Sequence, residues 1–333
     1  MAGRRTNLAL FALLALAFLT GTFAFGIGTG WSRWAVVAHG VTALAIVLLA
    51  PWKSVIVQRG LMRVRRGWRA SMILSGLIVV TLITGFAHSM GAARSFGVVS
   101  AMQVHVGAAL LSLPVALWHV VSRPTRPRRM DLTRRNLLRA GALAGGAGVS
   151  YVLVEGALRI GRLPGRDRRF TGSFETGSFV PAEMPVTQWF NDSVPAIDPA
   201  EWTLVVRAGD DRTISYEELL DFDDRVTATL DCTGGWFAEQ EWQGIWLERL
   251  LPDAEGAGIA IVSVTGYGRV FPRRDADRLL LATRVGGAPL SPGHGFPARI
   301  VAPGRRGFWW VKWVERIEAT DRSWLLQPPF PLT

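Results

Sequence analysis

Val226-Thr227-Ala228-Thr229-Leu230-Asp231-Cys232-Thr233-Gly234-Gly235-Trp236 joins a β-branched run to a cysteine and two glycines. β-Branched residues favour a pleated, extended chain, so Val226 to Leu230 predicts a strand that delivers Asp231 and Cys232 to a loop. The glycines permit a tight turn, at which a thiol projects into a pocket instead of packing within a sheet. Cys232 is the only cysteine in 333 residues, which excludes an intrachain disulfide and a Cys-only metal cage. A solitary cysteine is ordinarily a small buried hydrophobe. At a strand end before two glycines it is also a candidate nucleophile or metal ligand. His294 is the only histidine in this half of the chain; it could serve a thiolate as base, or equally donate a hydrogen bond to an anionic cofactor.

Outward from this stretch, Ile197 to Val206 alternates as a strand does, and Tyr216 to Leu220 reads as a short helix. Arg299-Ile300-Val301 and Trp309 to Val314 read as further strands. Residues 161–333 therefore predict an α+β, mainly β, domain. Residues 1–160 differ in kind, with long runs of Ala, Leu, Val and Gly, and the boundary is expected near Gly161 to Arg169.

Five apolar segments stand out, at about residues 7–27, 34–52, 70–90, 98–121 and 137–158. Each approaches the ~20 residues that span a bilayer as a helix. This predicts an α-helical membrane bundle of about five transmembrane helices, the first retained because four more follow it and no small-residue cleavage site stands out. The net charge of +11 gathers at Lys53 to Arg69 and Arg123 to Arg139, between apolar runs and without the aromatic interleaving of a nucleic-acid binder. By the positive-inside rule those loops are cytoplasmic, and the C-terminal domain is expected on the outer side of the cell membrane. Thr133-Arg134-Arg135-Asn136-Leu137-Leu138-Arg139 resembles a twin-arginine export motif ahead of a weakly hydrophobic run.

Four of the five histidines fall in the apolar half, where ionisable groups usually face a site. His39 and His105 are expected at one depth, with His88 near the same level. His105 and His119 are 14 residues apart, which sets them within ~40° of one helix face. That spacing resembles b-type cytochromes, in which one helix ligates two stacked haems. No histidine lies 14 residues after His39, where Lys53 stands. One haem b is thus expected, on His39 and His105, with His88 and His119 as further candidates for the iron and Gly40, Gly85 and Gly107 giving a flat macrocycle close approach.

Asp231-Cys232-Thr233-Gly234-Gly235-Trp236, Trp242-Gln243-Gly244-Ile245, Val264-Thr265-Gly266-Tyr267-Gly268, Gly286-Gly287-Ala288-Pro289-Leu290, Gly293-His294-Gly295-Phe296-Pro297-Ala298-Arg299 and Val311-Lys312-Trp313-Val314-Glu315-Arg316 occur in an order that resembles the sulfite-oxidase-type, molybdopterin-dependent oxidoreductases. The resemblance covers about 150 residues. It implies a molybdenum-molybdopterin cofactor with Cys232 as the thiolate on the metal and Tyr267 beside the metal pocket. It also implies Asn191, Thr233, His294, Arg299 and Lys312 around the pterin and its phosphate. The expected activity is oxidoreduction of a small oxo-substrate, sulfite or a sulfoxide or N-oxide, with a quinone or redox protein as electron partner. Arg269, Arg273, Arg274, Arg305 and Arg306 are candidate cations for an anionic substrate. Two other readings stay open: a molybdenum enzyme without haem, served by a separate electron partner, and a non-catalytic tethered cofactor-binding or interaction subunit. The 14 tryptophans are read as core and interface residues, not as an electron relay.

Overall fold

A computed structural model of the chain describes residues 2–61, 68–97, 99–122, 124–125, 127–188, 192–251, 256–325 and 327. The chain divides into two units, Met1–Phe25 with Gly30–Gly172, and Gly26–Thr29 with Ser173–Thr333.

The first unit is helical: α1 Ala2–Gly26, α2 Arg33–Leu61, α3 Trp68–Met90, α4 Ala101–Ser122 and α5 Arg134–Ile160. All five expected apolar segments are helices, long and apolar enough to cross a membrane. At 1.5 Å per residue, the shortest spans ~33 Å, about the thickness of a hydrocarbon core. α3 packs on α4, and α2 on α5. A two-stranded ribbon, β1 Ser95–Phe96 and β2 Val99–Ser100, leads into α4. α2 runs nine residues past the expected end at Trp52, so Lys53 and Arg59 ride on helical turns, and Lys53 Nζ donates to Asn7 Oδ1 at 3.0 Å. Arg63, Arg65 and Arg66, part of the expected basic loop, lie outside the described residues.

Glu155 is the one acidic residue in these five helices, and it is ion-paired with Arg168. Arg168 also donates to the Ser89 carbonyl at 3.1 Å, and His88 Nε2 donates to the Gly172 carbonyl at 2.9 Å. These bonds tie the segment after α5 to the helices. The first unit accordingly extends to Gly172, beyond the linker expected at Gly161 to Arg169.

The second unit holds two sheets. One runs β5-β4-β13-β8-β9, with β4 Thr203–Ala208, β5 Asp210–Ser215, β8 Gly258–Ser263, β9 Gly268–Pro272 and β13 Val314–Thr320. Its pairs are antiparallel except β4 with β13. Leu204 and Val206 alternate into the core, as period two requires for a half-buried strand, whereas Gly258 to Ile261 of β8 are buried on both faces. The other sheet runs β11-β10-β7-β3, with β12 on β10 and β6 on β7. Its strands are β3 Phe174–Glu175, β6 Asp224–Asp231, β7 Trp236–Trp246, β10 Leu280–Val285, β11 Ala288–Pro289 and β12 Arg299–Val301. Two short helices complete the unit, α6 Tyr216–Leu220 and α7 Leu247–Leu250. Ser215 and Glu218 cap α6 reciprocally, which explains why a five-residue helix forms there.

The reading of Trp309 to Val314 as a strand is corrected. Gly307–Trp309 is a single 3-10 turn, Trp313 takes a left-handed backbone (φ 52°), and the strand begins only at Val314. A run of large apolar residues looks like a buried strand, but here Trp309, Trp310 and Trp313 are each buried from an irregular backbone.

Candidate functional site

The β6–β7 hairpin presents the cysteine. β6 pairs with β7 up to Asp231 opposite Phe237, and residues 232–235 form the connection. Gly235 there has φ 95°, a conformation that costs a side-chain-bearing residue dearly. The turn is closed by Cys232 N–H to the Trp236 carbonyl at 2.9 Å and Gly235 N–H to the Cys232 carbonyl at 3.2 Å. Gly234 N–H points at Cys232 Sγ, 3.3 Å away. Cys232 is buried but lines a cavity together with Thr187, Gln188, Thr233, Trp236, Tyr267, His294, Arg299 and Lys312.

Six of the expected site residues therefore meet in one place: Cys232, Thr233, Tyr267, His294, Arg299 and Lys312. Asn191 lies outside the described residues. Arg299, on β12 opposite Ala282, is 1% exposed, far from the solvated edge position that a strand cation usually takes. Its guanidinium lies over the rings of both Trp242 (5.1 Å) and Trp310 (5.5 Å) and donates to the His294 carbonyl at 3.0 Å. Its Nε is buried with no hydrogen-bond partner among the described residues. Lys312 Nζ donates to the carbonyls of Thr187 (2.8 Å) and Gly293 (2.7 Å).

The electrostatics of these cations is unusual. Burial brings Arg299 down to about 9, and burial with the Arg299 charge brings Lys312 down to about 7. Asp192 also lines the cavity and its charge acts on Lys312. Among the described residues, however, the hydrogen bonds that Arg299 and Lys312 donate all go to neutral carbonyls, a costly burial that a further anion would offset. His294 is brought down to about 4 by burial and the charges of Arg299 and Lys312. It is a neutral imidazole with both nitrogens engaged, Nε2 donating to the Met184 carbonyl (3.0 Å) and Nδ1 facing Ser291 Oγ (2.8 Å). That arrangement supports the cavity wall and leaves His294 no ring nitrogen free to act as base toward Cys232. Burial raises the Tyr267 phenol above its usual range, and its hydroxyl donates to the Phe308 carbonyl.

The candidate substrate cations take other roles. Arg306 pairs with Asp231 at 2.7 Å and Arg305 with Asp275 at 2.6 Å. Arg269 stacks over Trp309 at 4.3 Å, Arg273 donates to the Leu251 carbonyl, and Arg274 is exposed. None of the five lines the cavity. Sequence reasoning missed three neighbours of the cysteine. Ser173 bonds to Asp231 at 2.7 Å, Thr187 Oγ1 receives Trp236 Nε1 at 3.2 Å, and Gln188 has a buried Nε2 without a partner among the described residues. Asp231, adjacent to the cysteine, was the available signal for the first.

In the helical unit, His39 and His105 come together with ring centroids 5.9 Å apart and planes at 89°. His39 Nδ1 faces the Ala17 carbonyl at 3.0 Å and His105 Nδ1 the Thr81 carbonyl at 2.8 Å. A carbonyl only accepts, so each Nδ1 carries the proton and each Nε2 keeps its lone pair. A Cβ on Gly21 would come within 3.0 Å of His39 and one on Gly85 within 2.8 Å of His105. Gly40 instead admits the Tyr151 ring, and Gly107 faces open space. His88 turns to the Gly172 carbonyl, and His119 Nδ1 lies 3.3 Å from Ser71 Oγ.

Residues 191–325 match the family described as the oxidoreductase molybdopterin binding domain. The C-terminal unit contains a molybdopterin-binding oxidoreductase domain. Rat mitochondrial sulfite oxidase is 31% identical over 169 residues, covering 39% of this chain and 31% of the relative. The NADPH nitrate reductase of Mycosarcoma maydis is 52% identical over 45 residues, 14% of this chain and 5% of the relative. The sulfane dehydrogenase SoxCD of Paracoccus pantotrophus is a solved structure 27% identical at a TM-score of 0.37, with 39% of this chain and 40% of that chain covered. The chain spans less than a third of the length of the curated relatives it matches. The cavity of the molybdopterin domain suits an anionic, metal-bearing cofactor: one soft thiol, an orphaned buried Arg299 Nε and a second buried cation. Among the described residues no three His, Cys, Asp or Glu side chains cluster to cage a metal.

Proposed function

We propose that this protein is a membrane-anchored molybdenum oxidoreductase. Its outer C-terminal domain acts on a small oxo-substrate of the sulfite or sulfoxide/N-oxide class and exchanges electrons through haem b. The observation that carries this reading is the Cys232 cavity, where a lone thiol shares a buried space with two cations whose hydrogen bonds go to main-chain carbonyls.

When bound, the molybdenum cofactor supplies two-electron oxygen-atom chemistry. Cys232 holds the metal, with Gly234 N–H donating to its sulfur. Arg299, Lys312 and Gln188 bind the anionic pterin, for which charge-assisted bonds in a dry cavity are strong. His294 stays neutral and orients the loop that carries Gly293 and Gly295. Tyr267 and Trp236 wall the cavity and exclude water. With Arg299 and Lys312 given to the cofactor, and five further arginines turned elsewhere, the substrate side has no cation to spare among the described residues. That favours a neutral sulfoxide or N-oxide over sulfite.

Haem b, held by His39 and His105, supplies one-electron transfer; their proton-bearing Nδ1 atoms fix the rings and leave Nε2 free to ligate. The length of the five helices and the basic stretches between them support a multi-pass membrane protein with the C-terminal domain outside. Arg134 and Arg135, exposed at the start of α5, suit recognition as a twin-arginine signal, which would carry an already folded domain outward. Tethering the two redox sites in one chain makes electron exchange intramolecular, with a quinone or redox protein as outside partner.

The test is metal analysis and reduced-minus-oxidised spectroscopy of the full chain purified from a host that makes the cofactor. One molybdenum per chain and a b-type signal are expected. A metal-free wild type would end the enzyme reading, and molybdenum without a b-type signal would end the haem reading alone.

A further inference from the structure

Beside Cys232 lies a buried charged group that does not line the cavity. Arg306 Nη1 and Asp231 Oδ1 are 2.7 Å apart, and Ser173 Oγ donates to the same Oδ1 at 2.7 Å. Arg306 Nη2 donates to the Cys232 carbonyl at 3.2 Å, and Ser173 Oγ is 3.4 Å from that oxygen. Ser173 is 0% exposed, Asp231 3% and Arg306 3%. The backbone follows the side chains: Asp231 and Arg306 bridge in parallel, and a Cβ on Gly307 would come within 3.1 Å of Cys232 Cα. Burying an ion pair is costly, and an apolar substitute of the same shape often gives equal stability. Stability is therefore a weak explanation for this pair, whereas its position on the cysteine backbone is specific.

We propose that Ser173, Asp231 and Arg306 form a positioning clamp for the metal-binding cysteine, and that Arg306 sets the reduction potential of the metal held there. The inference rests on the molybdenum reading above. The Cys232 carbonyl is fixed from two sides, by Gly235 N–H and by the guanidinium, so its peptide plane cannot turn. A fixed plane fixes the Cα–Cβ direction and keeps Sγ over Gly234 N–H. The ion pair is neutral overall, but its positive end bonds the ligand residue directly. A positive end there favours the more reduced metal and raises its potential, more so at low dielectric. Since none of the three side chains touches the cavity, they act through Cys232 and not on substrate.

The test uses full-length holoprotein, comparing Arg306→Lys, Arg306→Gln and Ser173→Ala for molybdenum content, Mo(V) resonance and potential by redox titration. Arg306→Lys keeps the charge but loses the fork, so full metal, a near wild-type potential and an altered resonance are expected. Arg306→Gln removes the charge, and the one-electron equilibrium should shift toward the oxidised metal by on the order of tenfold, about 59 mV. Ser173→Ala should keep its metal and change the resonance. Wild-type resonance and potential in every loaded variant would overturn the clamp. A wild type without molybdenum would overturn the functional reading instead. Loss of metal from Arg306→Gln alone supports the clamp, and if both Arg306 variants fail to fold, an unchanged Ser173→Ala resonance overturns it.

Discussion

His39 and His105, from α2 and α4, face each other at right angles with 5.9 Å between ring centres, each anchored through Nδ1 to a carbonyl of a different helix. Two imidazoles so held have their free nitrogens and little else to offer. His39→Ala and His105→Ala should each abolish the b-type difference spectrum, while His119→Ala, whose ring faces Ser71, should keep it. A signal that persists in the double His39→Ala/His105→Ala variant contradicts the ligand assignment.

Gly21 and Gly85 seat those rings. Gly85→Val would drive a side chain into His105, since even a Cβ comes within 2.8 Å of the ring. The expected outcome is loss or displacement of the b-type spectrum at normal expression, read by absorbance of the purified protein. Gly107→Ala, in open space, serves as its control.

Cys232→Ser should cost most of the bound molybdenum, at least tenfold by elemental analysis, because a hydroxyl is a poor soft-metal donor. Lys312→Met should weaken retention less, since Arg299 remains. Equal molybdenum in wild type and Cys232→Ser would remove the thiolate from the metal.

Lys312 gives the cofactor-free protein a pH signature. Its folded-state pKa, about 7, lies below the unfolded value of about 10.4. Between the two the unfolded chain binds more protons, so stability of the free domain should rise with pH from 7 toward 10. The limiting slope is about 1.4 kcal/mol per pH unit. His294, at about 4, produces the same sign between pH 4 and 6.5. Denaturant unfolding followed by tryptophan fluorescence reads both. Lys312→Met should flatten the upper limb, and an unchanged slope in that variant would assign it elsewhere.

Turnover on a neutral sulfoxide should vary little with ionic strength, because the arginines first considered for an anion are paired or stacked elsewhere. A KM for sulfite that is low and rises steeply with salt would point to cations reaching the substrate after all.

The elements around Cys232 were legible because local chemistry settles them: Val226 to Leu230 is β-branched, the two glycines force a turn, and Ser215 with Glu218 caps a helix. The five apolar helices announce themselves by length alone. What escaped depended on partners distant in sequence. Arg306 read as a spare cation, since nothing near it tells that Asp231, 75 residues earlier, lies against it in the fold. Trp309 to Val314 read as a strand because composition reports burial but not backbone path. Arg299 reads as a strand residue, but its burial against Trp242 and Trp310, 57 residues before it and 11 after it, is not readable from that strand.

The single cysteine has a consequence for the protein's lifetime. A thiol oxidised to a sulfenic acid is normally rescued by a neighbouring thiol that turns it into a reducible disulfide. This chain has no second cysteine to do so. On the proposal that Cys232 holds molybdenum, its oxidation before the metal arrives would remove the chain's only thiolate ligand, with no resolving thiol of its own to reverse the damage. On the same proposal, a domain loaded before export would reach an oxidising compartment with that sulfur already bonded. An empty one arrives with its chemistry at stake.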